Sequence, residues 1–190
     1  MGRIKIQLMC DTYDKYRNLK LAAEELGMAW QTLYWHLSSV GHPVIGDKEA
    51  YGSPTDKMAK ALEDYFNKIV PEAVPYNASK FQAPMDFSVN GYSVDIKSAT
   101  KKNCYKSNPR KNPSFRWAFS TKVQEKSSDF MVMFCMEGYS CEDYGSVEKI
   151  LLVLKGFYHN KQSISVSCTN SKWYDFEVTE VELQDFFLNT

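Results

Sequence analysis

No apolar run in this 190-residue chain approaches the ~20 residues that cross a bilayer, so no membrane partner is expected. The start, Met1-Gly2-Arg3-Ile4-Lys5-Ile6-Gln7, lacks the apolar core of a signal peptide. Ile6 stands where an N-myristoylation site needs Ser or Thr. Neither a secretory leader nor a lipid anchor is expected. The five cysteines, Cys10, Cys104, Cys135, Cys141 and Cys168, are odd in number, scattered, and form no C-x-x-C pair. That excludes a disulfide framework and fits free thiols in a reducing cytosol. The three histidines, His36, His42 and His159, show no zinc-ligand spacing with them. There is no internal repeat and no low-complexity tract.

What the chain does have is segregated charge. The net charge is zero, yet Lys97 to Lys126 carries nine basic side chains against Glu125 alone, a net +8. From Ser127 onward four lysines face ten acids, a net −6. A basic stretch of that density suits phosphate binding. The plain alternative is a solvated basic loop.

Just before that stretch, residues 84–98 read P-M-D-F-S-V-N-G-Y-S-V-D-I-K-S. Asn90-Gly91 between two alternating runs predicts a two-residue type I′ hairpin. The register then sets Asp86 directly opposite Asp95. Side chains alternate faces, so Asp86, Ser88, Ser93, Asp95 and Lys97 share one face, and Met85, Phe87, Val89, Val94 and Ile96 the other. Opposed Cβ atoms lie only about 4.5–5.5 Å apart, and two carboxylates there repel unless a divalent cation sits between them. An ordinary solvated hairpin face of mixed charge is the alternative.

The other elements follow from periodicity and punctuation. Ser53 is an N-cap, with Pro54 at the first helical position and Asp56 closing a capping-box-like pair. Met58, Leu62, Tyr65, Phe66 and Ile69 form the apolar face of that helix, which Pro71 ends. Strands are expected at 74–76, 114–120 and 163–168. Apolar runs at 129–136 and 147–154 predict strands buried on both faces. A helix carrying Val181, Leu183, Phe186 and Phe187 closes the chain at 179–188. The order predicts an α/β domain over 46–190 with a mixed central sheet covered by helices.

Residues 17–40 read as a helix-turn-helix. Ala22, Ala23 and Leu26 form one stripe, Gly27 the turn, and Met28, Leu33 and Leu37 the packing face of the second helix. Trp30, Gln31, Tyr34, Trp35 and Ser38 are left for solvent or DNA, and the segment Thr32 to Leu37 is similar to recognition helices of small bacterial and phage DNA-binding modules. His36 is read as a packing or surface residue. An αα-hairpin packed on the main domain is the alternative. The segment 41–47 is the expected boundary, giving a module over 1–45.

The D-x8-D-x-K spacing of Asp86, Asp95 and Lys97 resembles the PD-(D/E)XK nuclease superfamily, whose core is restriction-endonuclease-like. Two departures are visible: Met85 separates Pro84 from Asp86, and the second acid is Asp where Glu is commoner. The resemblance implies that Asp86 and Asp95 hold Mg²⁺ (with Mn²⁺ as a substitute), that the Ile96 carbonyl adds a ligand, and that Lys97 assists the attacking water. It further implies an acid from the preceding helix. Glu63 is the candidate, with Asp64 and Glu49 as rivals and a helix-surface glutamate as the alternative.

Together these features predict a metal-dependent endodeoxyribonuclease of the homing or restriction kind, acting on double-stranded DNA as a homodimer in the cytoplasm of a bacterium or phage-infected cell. Gln31, Thr32 and Trp35 are the expected base-side contacts, and Lys101, Lys102, Lys106, Arg110, Lys111 and Arg116 the expected phosphate contacts. A junction-resolving nuclease and a DNA-binding regulator that no longer cuts are the other two readings.

Overall fold

The computed structural model describes residues 3–44, 53–76, 85–105, 112–121, 128–138 and 146–190. The chain divides into two compact units, Met1–Asp56 with Tyr76–Ala83, and Lys57–Pro75 with Pro84–Thr190. The boundary expected between residues 45 and 46 lies outside the described residues.

Among the described residues the first unit holds three helices, α1 (Arg3–Tyr16), α2 (Leu19–Glu25) and α3 (Trp30–Ser39). Asn18 caps α2 by accepting from the amides of Lys20 and Leu21. Gly27, at φ +63°, makes the turn into α3, a conformation that costs glycine nothing. Ala22, Ala23, Leu33 and Leu37 are buried as expected, but they close around Met9, Cys10 and Tyr13 of α1. The sequence pattern does not predict α1. Ile4, Ile6 and Leu8 alternate with polar residues like a strand, and only the 9, 10, 13 spacing carries the helical period.

In the second unit, α4 (Pro54–Ile69) begins with the expected cap: the Ser53 amide and hydroxyl both donate to Asp56 Oδ2, and the Asp56 amide donates back to Ser53 Oγ. The strands are β1 (Val74–Pro75), β2 (Phe87–Val89), β3 (Tyr92–Thr100), β4 (Lys102–Asn103), β5 (Phe115–Ser120), β6 (Phe130–Met136), β7 (Val147–Leu154), β8 (Ser163–Ser167) and β9 (Glu177–Val178). Short α5 (Lys155–Tyr158) follows β7. A 3₁₀ turn, Lys172–Phe176, precedes β9, and α6 (Glu180–Leu188) ends the chain behind a Thr179/Glu182 capping box.

Six strands form a mixed sheet in the order β1-β2-β3-β6-β7-β9, with β3 and β6 parallel and the other pairs antiparallel. β4, β5 and β8 form a second, antiparallel sheet. The crossover from β3 to β6 therefore runs through strands of the second sheet, where parallel pairs more often use a helix. Every residue of β6 is buried because both faces are covered. On one face α4 and α6 supply Met58, Leu62, Phe66, Leu183 and Phe187 against Phe87, Val94, Ile96, Phe130, Val132 and Phe134. On the other, Trp117, Phe119, Ile164 and Val166 of the small sheet meet Met131, Met133, Leu151 and Val153. The indole of Trp117 donates to the Met136 carbonyl at 2.8 Å and ties the two sheets together. The expected cover of helices is present on one face, and the other is covered by a sheet, a division that strand periodicity does not encode. β7 is also less buried than its apolar run implied: only Ile150–Val153 are enclosed.

Candidate active site

The hairpin forms with the expected register, Phe87 opposite Val94, Ser88 opposite Ser93 and Val89 opposite Tyr92. Asn90 (φ +49°) and Gly91 (φ +87°) make the turn, as a type I′ geometry requires. The Asn90 amide group also donates to the Phe187 carbonyl at 2.7 Å, fixing the turn to α6. The ladder stops at Phe87 and Val94. Asp86 lies just beyond, its amide donating to the Val94 carbonyl at 3.1 Å. Its Oδ2 accepts from the Ile96 amide at 2.8 Å, taking the role that a backbone carbonyl of a longer β2 would fill.

The alternation of β3 sends Val94 and Ile96 to the helix-covered core, leaving Ser93, Asp95, Lys97 and Ala99 on the other face. Asp95 is 3% exposed. Across the parallel ladder its neighbours are Met131 and, beside Lys97, Met133, both fully buried. This apolar floor desolvates the carboxyl. Lys97 Nζ lies 3.0 Å from Asp95 Oδ2, but the approach is electrostatic and not an aligned hydrogen bond, for Oδ2 is buried without a hydrogen-bond donor. Burial is the chief influence on Asp95 and pushes its pKa from 3.8 up to about 8. The Lys97 ammonium pulls it down, and the Asp86 carboxylate pushes it up again. Asp86, Asp95 and Lys97 are therefore brought together.

Glu63 is buried on α4, whose apolar stripe packs on the opposite face of the sheet. Among the described residues no three His, Cys, Asp or Glu side chains form a metal-holding group, so the structure does not assemble Glu63 with the two aspartates. The rival Asp64 is exposed and paired with Lys60 along the helix at 2.5 Å. Glu49 lies outside the described residues.

Another carboxylate, which no sequence motif marks, stands nearby. Asp129 precedes β6; its amide donates to the Ser93 carbonyl at 2.9 Å, and its Oδ2 accepts from the Ser93 amide at 3.0 Å and hydroxyl at 2.7 Å. These bonds hold Asp129 below its ordinary pKa. Tyr158 is buried beneath the same region. Its hydroxyl contacts Ser128 Oγ at 2.8 Å and donates to the Ser128 carbonyl, and it feels the charges of Asp95, Asp129 and Lys97. Only the β3–β6 register reveals this neighbourhood.

The expected phosphate contacts divide. Lys102 and Arg116 sit directly opposite each other in the β4–β5 ladder, both exposed. Like charges so placed repel. Lys101 is instead paired with Glu148 at 2.6 Å, which removes it from the unpaired cations. Lys106, Arg110 and Lys111 lie outside the described residues. On α3, Gln31 and Thr32 are exposed and Trp35 is 65% exposed, while His36 packs edge-on against Trp35. No helix among the described residues is long and apolar enough to cross a membrane. No protein-family model, curated protein or solved structure matches the chain.

Proposed function

We propose that the chain is a Mg²⁺-dependent DNA endonuclease on a PD-(D/E)XK-like core, with α2 and α3 acting as a helix-turn-helix that reads the site. The observation that carries this reading is Asp95 Oδ2, a carboxylate oxygen buried with no hydrogen-bond donor beside a second carboxyl and an ammonium. A buried carboxylate paired with a single ammonium, here Lys97 at 3.0 Å, can lose more in hydration than the pair returns. A fold that keeps one has a use for it.

The residues suit a hard divalent cation, which favours carboxylate and carbonyl oxygens. Asp86, Asp95 and the Ile96 carbonyl would hold it. When bound, Mg²⁺ supplies Lewis-acid stabilisation of phosphate charge and acidifies a bound water. The chain's own groups do the rest. The Asp86 carboxylate is fixed by the Ile96 amide. Asp95 must give up its proton before it can act as a ligand, so occupancy of the site rises with pH. Lys97 neutralises charge at the rim and orients the nucleophile. Met131 and Met133 exclude water from beneath. Lys102 and Arg116 offer two adjacent charges to the DNA backbone, where an anion relieves their mutual repulsion. Two strands cut at one site require two such centres, hence a homodimer on DNA.

One observation favours a protein that binds DNA without cutting: Lys97 already offsets the charge of Asp95. Incubating the purified protein with random-sequence duplex DNA and Mg²⁺, then sequencing the ends, decides between them. New ends that vanish in Asp95→Asn support the nuclease. Intact DNA bound equally by both proteins supports the regulator.

A further inference from the structure

Lys161 and Lys172 lie in the acidic half of the chain, outside the basic stretch 97–126. Their ammonium groups come to 6.0 Å and 5.5 Å from the centroid of one indole, that of Trp173. Trp173 is almost fully buried in the core between the sheets, so its position is set by packing and the two lysine stems lie over what remains open. Five other lysines are matched by a carboxylate: Lys15 with Glu25, Lys60 with Asp64, Lys97 with Asp95, Lys101 with Glu148 and Lys149 with Glu177. Among the described residues Lys161 and Lys172 make no ion pair, not even with Asp175 on the same 3₁₀ turn.

Two ammoniums gathered on one rigid ring without a counter-charge form a preset anion contact. The Lys161 amide donates to the Tyr158 carbonyl at 2.8 Å, and the Tyr158 hydroxyl in turn meets Ser128, the neighbour of Asp129. We infer that Lys161 and Lys172, seated on Trp173, hold the DNA backbone. The inference rests on the nuclease reading for its ligand, a nucleic-acid phosphate chain.

The test measures affinity for a random-sequence duplex of about 30 base pairs against salt, without Mg²⁺ and in the Asp95→Asn background so that nothing is cut. Lys161→Gln/Lys172→Gln should flatten the salt dependence by about 0.9 for each phosphate that is no longer neutralised. The drop in affinity between about 50 and 200 mM salt then shrinks roughly tenfold. Lys161→Arg/Lys172→Arg should keep the original slope. Lys57→Gln/Lys68→Gln, which removes equal charge from α4 on the opposite face, should also keep it; thermal melts confirm that all variants fold. An unchanged slope in the Gln pair, or an equal flattening in the α4 control, overturns the inference. Failure of the wild type to cut with Mg²⁺, beside a flattened slope in the Gln pair, sinks the nuclease reading alone.

Discussion

Asp95→Asn should make the metal-free protein more stable, and the gain should depend on pH. An acid whose folded pKa is raised holds its proton more tightly folded than unfolded. Between about 4 and about 8 the native state keeps a proton that the unfolded chain has released, so stability falls as pH rises across that window and levels above it. Each tenfold change in proton affinity is worth about 1.4 kcal/mol, which puts the full cost of ionising Asp95 at about 6 kcal/mol as an upper figure. That figure already contains the pull of the Lys97 ammonium, and relaxation of the site and entry of water around the charge lower it. The net gain should be about 2–3 kcal/mol at pH 8, a rise in Tm of roughly 4–12 °C for a protein of this size. Near pH 4 the two proteins should melt together. Thermal melts in EDTA from pH 4 to 9 measure the difference. Parallel curves for wild type and variant would refute the desolvated-carboxyl account. Adding Mg²⁺ at a hundredfold excess over its Kd should restore about 2.7 kcal/mol to the wild type and nothing to Asp95→Asn.

Other outcomes follow from the same geometry. Lys97→Ala should lose most Mg²⁺-dependent cleavage while isothermal titration still detects Mg²⁺; cleavage at the wild-type rate would remove Lys97 from the chemistry. Lys102→Gln/Arg116→Gln should weaken binding to all duplex sequences alike and lower the salt slope by about 0.9 per phosphate, read by fluorescence anisotropy; an unchanged slope places these side chains away from DNA. Gln31→Ala should relax one position of the cleavage site by about 1–3 kcal/mol without stopping cleavage, and sequencing of the cut ends shows whether it does. Tyr158→Phe removes the buried hydroxyl contacts with Ser128 and should cost about 1–3 kcal/mol in urea unfolding; no change would mean that Ser128 finds another partner.

The parts legible in the sequence were those encoded locally. Asn90-Gly91 fixes a register because few dipeptides tolerate two positive φ angles in succession, and that register alone brings Asp86 to Asp95. Ser53-Pro54 announces a helix through orphan amides that its neighbours must satisfy. The continuous run 129–136 is buried because no polar residue interrupts it. What stayed hidden was long-range. Nothing in β4, β5 or β8 says that they form their own sheet. The pairing of Asp129 with Ser93 exists only through the parallel register. Glu63 sits next to an apolar stripe in sequence, but which face of the sheet that stripe covers is decided by packing.

The crossover through the second sheet has a kinetic consequence. The hairpin from 87 to 94 closes over two residues, whereas the β3–β6 seam waits on residues 101–129, and non-local pairings form slowly. The hypothesis that follows is that Asp86 and Asp95 meet early, while still wet, and are buried only when β6 docks. Ionisation then penalises the native state and spares the folding transition state. Raising the pH from 6 to 9 in EDTA should speed unfolding and leave the folding arm of the chevron in place. A slower folding arm would mean that the carboxyl is already dry at the barrier. With the site completed only after the barrier, the free Mg²⁺ concentration in a cell would set how long the folded chain lasts and have no part in how fast it forms.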